Sequence, residues 1–251
     1  MLKVKAALLF IFLLTFCFNC AGNQELRRKQ ARAREDLAFS YIRQGNLKAG
    51  LEQLIEAAKL DPKNADIHHE LALSYKDLGL YDNSLDHFEK ALALKADFPE
   101  AQNNLGTLFL VLGKWDRAIA CFEKALGNVT YQTPHFAYNN LGLAYYSKEE
   151  YEKAIHSYRQ ALELSPSYTA CYTNLALSYE ATNRWGAAIG AYKKALSYDP
   201  EYATAHFNLG RLYLKLKRNA EAAEELRKTI EIDPDAPFAL EAKRLLKEIK
   251  Y

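Results

Sequence analysis

The sequence predicts an all-α protein, a right-handed α-solenoid of six helix pairs closed by a C-terminal capping helix. The composition favours helix, because the 251 residues include only 11 Gly and 7 Pro, too few for a β fold rich in turns. One pattern of apolar and small residues recurs about every 34 residues, which is typical of stacked helix pairs. Four prolines recur in phase with it, at the ends of the predicted second helices: Pro62, Pro166, Pro200 and Pro234.

Residues 1–19 are predicted to form a lipoprotein signal peptide. Lys3 and Lys5 precede an apolar run at residues 6–16. This run is shorter than the roughly 20 apolar residues that span a bilayer, so export is favoured over a transmembrane helix. An uncleaved signal anchor and simple secretion remain as alternatives.

The end of this segment resembles a bacterial lipobox. Cys20 follows the apolar run and precedes small or polar residues. The resemblance implies that Cys20 is acylated and becomes the new N-terminus, with residues 20–30 as the lipidated end and tether. Cys17 is the alternative site. Because two or more acyl chains anchor a protein stably, we expect membrane attachment, and Gly22 implies sorting to the outer membrane.

An internal repeat covers residues 31–236. Each copy has a leucine followed by a small residue and then an aromatic residue, and later a large apolar position flanked by small ones. Successive leucines lie 34 residues apart, with one interval of 36: Leu37, Leu71, Leu105, Leu141, Leu175 and Leu209. The pattern resembles the tetratricopeptide repeat (TPR), a helix–turn–helix unit. It divides the region into six units, 31–64, 65–98, 99–132, 135–168, 169–202 and 203–236.

The small residues let two antiparallel helices approach closely, while the leucine and aromatic positions fill the space between them. A single helix pair leaves an apolar face exposed, so neighbouring pairs must stack. Residues 237–251 place several apolar side chains on one helical face, which predicts the capping helix: Leu240, Leu245, Leu246 and Ile249. At the other end, the charged residues 25–34 either extend the first helix or belong to the tether.

No motif for catalysis or ligand chemistry accompanies the repeats. Removing Lys3 and Lys5 from the 33 basic residues leaves 31, as many as the acidic ones, so no concentrated positive surface favours nucleic acid. The sequence lacks a glycine-rich phosphate loop, histidines one helical turn apart and a recognisable catalytic set. Cys121 and Cys171 lie two repeats apart, too far for a disulfide. We therefore predict a non-enzyme without metal, cofactor or small-molecule substrate.

In a TPR array the first helix of each pair lines a groove, and the resemblance implies which residues face it. An asparagine ladder occupies this position: Asn103, Asn104, Asn139, Asn140, Asn174 and Asn208. Apolar side chains lie beside the ladder: Phe136, Leu143, Tyr146 and Phe207. Because an amide donates and accepts hydrogen bonds, the ladder is predicted to hold the backbone of an extended peptide. The alternative is that these asparagines only satisfy neighbouring helix ends.

The linker at residues 127–134 is two residues longer than the standard period. Together with the motifs at residues 103–107 and 140–143, it resembles the PilF/PilW pilotin family, the TPR lipoproteins of type IV pilus biogenesis. The resemblance implies a lipoprotein of the bacterial outer membrane, facing the periplasm, that binds the pilus secretin or another pilus component and helps it to localise or assemble. The alternative is a general periplasmic TPR scaffold for another envelope or cell-wall assembly.

Overall fold

The computed structural model describes the backbone of residues 2–249 and the side chains of residues 23–249. Within this range the chain forms thirteen α-helices and no strand, which confirms the all-α prediction. The helices are α1 (Leu2–Arg43), α2 (Leu47–Leu60), α3 (Ala65–Asp77), α4 (Tyr81–Leu94), α5 (Pro99–Val111), α6 (Trp115–Leu126), α7 (Pro134–Ser147), α8 (Tyr151–Leu164), α9 (Thr169–Ala181), α10 (Trp185–Tyr198), α11 (Ala203–Lys215), α12 (Asn219–Ile232) and α13 (Ala239–Glu248). The side chains of the predicted signal peptide, and that of Cys20, lie outside the described residues. The described residues form no helix that is long and apolar enough to span a bilayer.

The chain divides into two compact units, residues 1–108 and 109–251. In the N-terminal unit, α1 packs against α2, α2 against α3, and α3 against α4. In the C-terminal unit each helix from α6 to α13 packs against the next one along the chain, and α7 also contacts α9. Within each unit, consecutive helices therefore pair and the pairs stack on their neighbours, as in a helical-repeat solenoid.

The large apolar position of the repeat forms the centre of the core. Its six residues are completely buried: Leu54, Phe88, Phe122, Tyr158, Tyr192 and Leu226. The small residues of the pattern are buried beside them, as at Ala118, Ala154 and Ala188. Small side chains at these points let the two helices of a pair approach closely, as the sequence pattern predicts.

Each helix pair turns through one residue with a left-handed backbone. In three pairs this residue is glycine, at φ 78°, 74° and 67°: Gly45, Gly79 and Gly113. In the other three it carries a side chain, at φ 62°, 58° and 60°: Glu149, Asn183 and Lys217. Glycine adopts this conformation without steric cost, whereas Glu149 and Lys217 adopt it at a cost of about 1–2 kcal/mol.

Gly142 marks a close approach of α7 to α8. A Cβ atom at this position would lie 2.5 Å from Cε1 of the buried Tyr158 ring. We expect Gly142→Ala to lower the free energy of unfolding by about 1–3 kcal/mol through overpacking. Gly190→Ala is the matched control, because Gly190 lies inside α10 with no atom within 4 Å of an added Cβ. Alanine is expected to add about 0.5–1 kcal/mol there. Chemical denaturation measures both changes, and equal stability of the two variants would contradict this packing.

Helix α1 continues through the described part of the predicted tether. Residues 23–30 are helical, and Arg27 donates a hydrogen bond to the Lys59 carbonyl at 3.0 Å. Arg28 forms an ion pair with Asp61 at 3.8 Å. Of the two possibilities for residues 25–34, the structure has the extended first helix, because contacts with the end of α2 support it. The described residues 23–30 of the predicted tether therefore belong to this helix.

The C-terminal helix α13 packs against α12. Leu245, Leu246 and Ile249 contact the core of the C-terminal unit, as the apolar pattern predicts. Leu240 differs, since its side chain is 77% exposed. Phe238, just before α13, covers the unit instead, stacking on Phe207 with ring centroids 5.1 Å apart.

Candidate functional site

The first helices of the C-terminal unit, α7, α9 and α11, carry most of the predicted groove residues. Asn139 is buried, and its carbonyl oxygen accepts a hydrogen bond from the Asn174 amide at 3.0 Å. The Asn139 amide in turn donates to Asn140 at 3.4 Å. The asparagine ladder therefore connects α7 to α9 through its own side chains. Asn208 lies half-buried on α11.

In the N-terminal unit the ladder contacts a histidine. Asn103 is buried, and its amide donates to Asn104 at 3.5 Å. The Asn104 amide lies 2.9 Å from Nε2 of His69, and it donates to that nitrogen because an amide N–H cannot accept. These partners are side chains, not the neighbouring helix ends of the alternative. Peptide binding by the ladder stays a prediction.

The predicted apolar pockets differ in accessibility. Phe136 is 44% exposed and contacts Tyr168 edge-on, with centroids 5.6 Å apart. Leu143 and Tyr146 are half-buried. Phe207 is buried under Phe238, so its ring has little surface left for a peptide.

A carboxylate that was not predicted from the sequence lies near Tyr146. Tyr192 donates its hydroxyl hydrogen to Glu180 at 2.6 Å. Burial, the neighbouring Tyr151 and Glu180 raise the pKa of Tyr146. Glu180 stands at the same repeat position as Tyr146, 34 residues later, and that phase could have identified it. This half-buried acceptor adds a negative charge to a face that otherwise offers amides and aromatic rings.

Two side-chain pairs that involve histidine and join neighbouring helices were also not predicted from the sequence. Nδ1 of His68 lies 2.9 Å from Nδ1 of His87, and Nδ1 of His206 lies 2.5 Å from the Glu225 carboxylate. In both pairs Nε2 of the first histidine faces a proline carbonyl six residues earlier. The separation of 19 residues occurs in both cases, which is the signal that could have found them. These pairs tie the two helices of a repeat together.

The two environments affect protonation in opposite ways. Burial and then the charge of His68 lower the pKa of His87 to about 4. At His206 burial opposes the charged form, but hydrogen bonds to Glu225 and to the Pro200 carbonyl outweigh it and raise the pKa. Within residues 23–249 no three His, Cys, Asp or Glu side chains converge as a metal site. Cys121 and Cys171 are both buried.

Family models identify the repeats. Four models described as tetratricopeptide or TPR repeats match residues 38–79, 63–128, 135–168 and 173–237. The chain is a tetratricopeptide-repeat protein. The TPR fold is a protein-interaction scaffold and is generally non-enzymatic, which supports a role in binding proteins.

Solved structures of TPR proteins share this fold. The crystal structure of PilW, described as a widely conserved type IV pilus biogenesis factor, aligns at 24% identity and a TM-score of 0.79, covering 85% of this chain and 98% of PilW. PilF from Pseudomonas aeruginosa aligns at 20% identity and a TM-score of 0.75, covering 88% of this chain and 99% of PilF. YrrB, a TPR protein with an unusual peptide-binding site, aligns at 24% identity and a TM-score of 0.56, covering 76% and 97%. No curated protein matches the chain in sequence.

Proposed function

We propose that this TPR protein is an outer-membrane lipoprotein that binds the type IV pilus secretin and helps it to localise or assemble. The observation that carries the proposal is the extent of the structural likeness, which takes in 98% of PilW and 99% of PilF. The two alignments also cover 85% and 88% of this chain, with TM-scores of 0.79 and 0.75. YrrB, although 97% covered, matches only 76% of this chain with a TM-score of 0.56.

The face formed by α7, α9 and α11 supports binding of an extended peptide from such a partner. Asn140 and Asn208 are half-buried there, and Phe136 exposes an aromatic edge. Glu180 supplies a charged acceptor that selects for donors on the peptide. Backbone-directed polar groups beside apolar side chains are the usual means by which a groove holds an extended segment.

Deletion of the gene tests the proposal. Heat- and detergent-resistant secretin multimers in outer-membrane fractions are expected to give way to monomers or to appear in the inner membrane. The same multimers are expected to return when the gene is restored. Unchanged, correctly placed multimers would contradict the pilus role and leave a TPR scaffold for another envelope assembly.

The anchor has its own prediction. We expect Cys20→Ala to abolish acylation, seen as loss of the lipid mass from the N-terminal peptide, and to shift the protein out of the membrane fraction. Loss of the acyl chains removes the hydrophobic contribution that holds the protein at the bilayer. Cys17→Ala is the matched control and is expected to leave acylation intact. If Cys17→Ala loses the lipid and Cys20→Ala keeps it, the lipidation site has been assigned to the wrong cysteine.

A further inference from the structure

A cleft of about 600 Å3 opens between α6, α7 and α8 in the C-terminal unit. Its apolar walls are Leu126, Tyr138, Leu141 and Tyr145, and Glu123 stands at its edge. The volume lies within the range of about 300–1,000 Å3 that is common for ligand pockets. The cleft uses a different set of α7 residues from the predicted groove, so it is a separate surface.

The long linker explains why the cleft lies here. Helix α6 has 12 residues and ends at Leu126, whereas α8 and α10 have 14 residues each. Gly127, which has no side chain, follows the end of α6 and lines the cleft. The early end of the helix therefore leaves space beside Tyr138 and Leu141.

The next repeat has an arginine at the position equivalent to Glu123. Arg159 occupies the position of Glu123, and its guanidinium donates to the hydroxyl of Tyr179 at 2.7 Å. Tyr179 corresponds to Tyr145, whose hydroxyl reaches Glu123 at 3.3 Å. An arginine thus lies against the tyrosine of the next repeat, with its guanidinium carbon 5.9 Å from the ring centroid. The Glu123 side chain is shorter than arginine and acidic. A guanidinium from another molecule could therefore lie against Tyr145 as that of Arg159 lies against Tyr179.

The charges at the edge of the cleft select a cation. Glu152 forms an ion pair with Arg184 at 2.5 Å. Lys153 pairs with Glu150 at 2.6 Å, and its Nζ lies 5.3 Å from the centroid of one face of the Tyr145 ring. Glu123 has no ion pair with any residue of 23–249, and its hydrogen bond comes from the neutral Tyr145 hydroxyl. An unpaired carboxylate beside two tyrosine rings suits a guanidinium, which stacks on aromatic faces and donates to carboxylates.

We propose that this cleft docks an extended peptide of a protein partner in which an arginine is flanked by apolar residues. The arginine stem lies along Tyr138 and Tyr145, its guanidinium meets Glu123, and an apolar neighbour fills the space beside Leu126 and Leu141. The partner's arginine takes the place that Arg159 holds in the following repeat. This proposal does not depend on the pilus role.

Peptide titration of the full, ¹⁵N-labelled chain tests the proposal. The probe acetyl-Leu-Arg-Leu-amide is expected to shift amide signals of Tyr138, Leu141 and Tyr145, whereas acetyl-Leu-Glu-Leu-amide is not. We expect Glu123→Gln to weaken binding of the arginine probe about two- to fivefold, as for loss of one exposed ion pair. Glu123→Arg is expected to weaken binding of this probe by about tenfold or more, because a like charge then occupies the site.

Glu231→Arg is the control, since it makes the same charge change on the exposed surface of α12. It is expected to bind the probe like the unaltered protein. Circular dichroism verifies that all three variants fold. Equal binding of the two probes, or undiminished binding by Glu123→Arg, would overturn the proposal. Arginine amide binding as tightly as the peptide would reject a peptide partner in favour of a small cation. None of these three results affects the secretin experiment.

Discussion

Tyr158→Ala is expected to lower the free energy of unfolding of the C-terminal unit by about 3–5 kcal/mol. The Tyr158 side chain is completely buried and packs over Gly142, so its removal loses apolar burial and leaves a cavity that the helices cannot close. Denaturation followed by circular dichroism measures the change. A loss below about 1 kcal/mol would mean that the site collapses around the missing ring.

Two phenylalanine variants separate the ring from the hydroxyl. The Tyr158 hydroxyl is buried and has no hydrogen-bond partner among the described residues, so Tyr158→Phe is expected to be neutral or slightly stabilising. The Tyr192 hydroxyl donates to Glu180 at 2.6 Å, so Tyr192→Phe is expected to cost about 1–3 kcal/mol. If the two variants lose equal stability, the hydroxyl of Tyr158 has a partner in solution.

Acidification from pH 6.5 to 4.5 is expected to lower the stability of the N-terminal unit by about 1–2 kcal/mol, allowing for the exposed part of His87. Burial lowers the pKa of His69 to about 4, and burial with the His68 charge lowers that of His87 to about 4. Unfolded imidazoles take up protons near pH 6.5. Because the unfolded chain then binds more protons than the folded one, the free energy of unfolding falls with the pH.

Glu70 acts in the opposite direction. Burial, followed by the charges of Glu35 and Asp66, raises the pKa of this carboxyl to about 7, so the folded chain keeps a proton that the unfolded chain releases above pH 4.5. This contribution stabilises the fold as the pH drops towards 4.5, and Glu35, whose pKa burial also raises, acts in the same direction. The carboxyls therefore offset part of the effect of the two histidines.

Hydrogen exchange resolves this acid effect by helix. After correction for intrinsic exchange, amides of α3 and α4 are expected to lose protection at pH 4.5, while those of α9 and α10, which contain no histidine, serve as the control. The double variant His69→Gln/His87→Gln is expected to reverse the sign of the pH dependence, because the opposing contribution of Glu70 remains. Constant protection of α3 and α4 across this range would contradict the buried, neutral state of the two histidines.

The repeat period and its phase were sufficient to predict the helices and their core. The six residues of the large apolar position are all buried because burial in a stacked array repeats with the period of the helix pair. The capping helix followed from the same reasoning, yet Leu240 is exposed and Phe238 covers the unit instead. A helical pattern shows only which side chains lie on the same face. It does not specify at which residue the helix begins, and therefore whether Leu240 or Phe238 reaches the core.

The candidate site was predicted less completely. Repeat positions placed asparagines on the first helices, but the hydrogen bond between Asn139 and Asn174 depends on the distance between two side chains of successive pairs. Burial of Phe207 depends on a segment that follows the last repeat. Glu180 shares a repeat position with Tyr146, and its hydrogen bond with Tyr192 requires the packed second helix.

The sequence by itself determined the helix pairs, their stacking and the residues of the core, because these depend on a periodic pattern of side-chain size and polarity. Only the tertiary structure decided which polar groups pair across helices and where a cleft opens. His68 meets His87, and Tyr145 donates to Glu123 whereas the equivalent Tyr179 accepts from Arg159. Such contacts depend on side-chain length and on approach between separate helices, and a repeat pattern encodes neither.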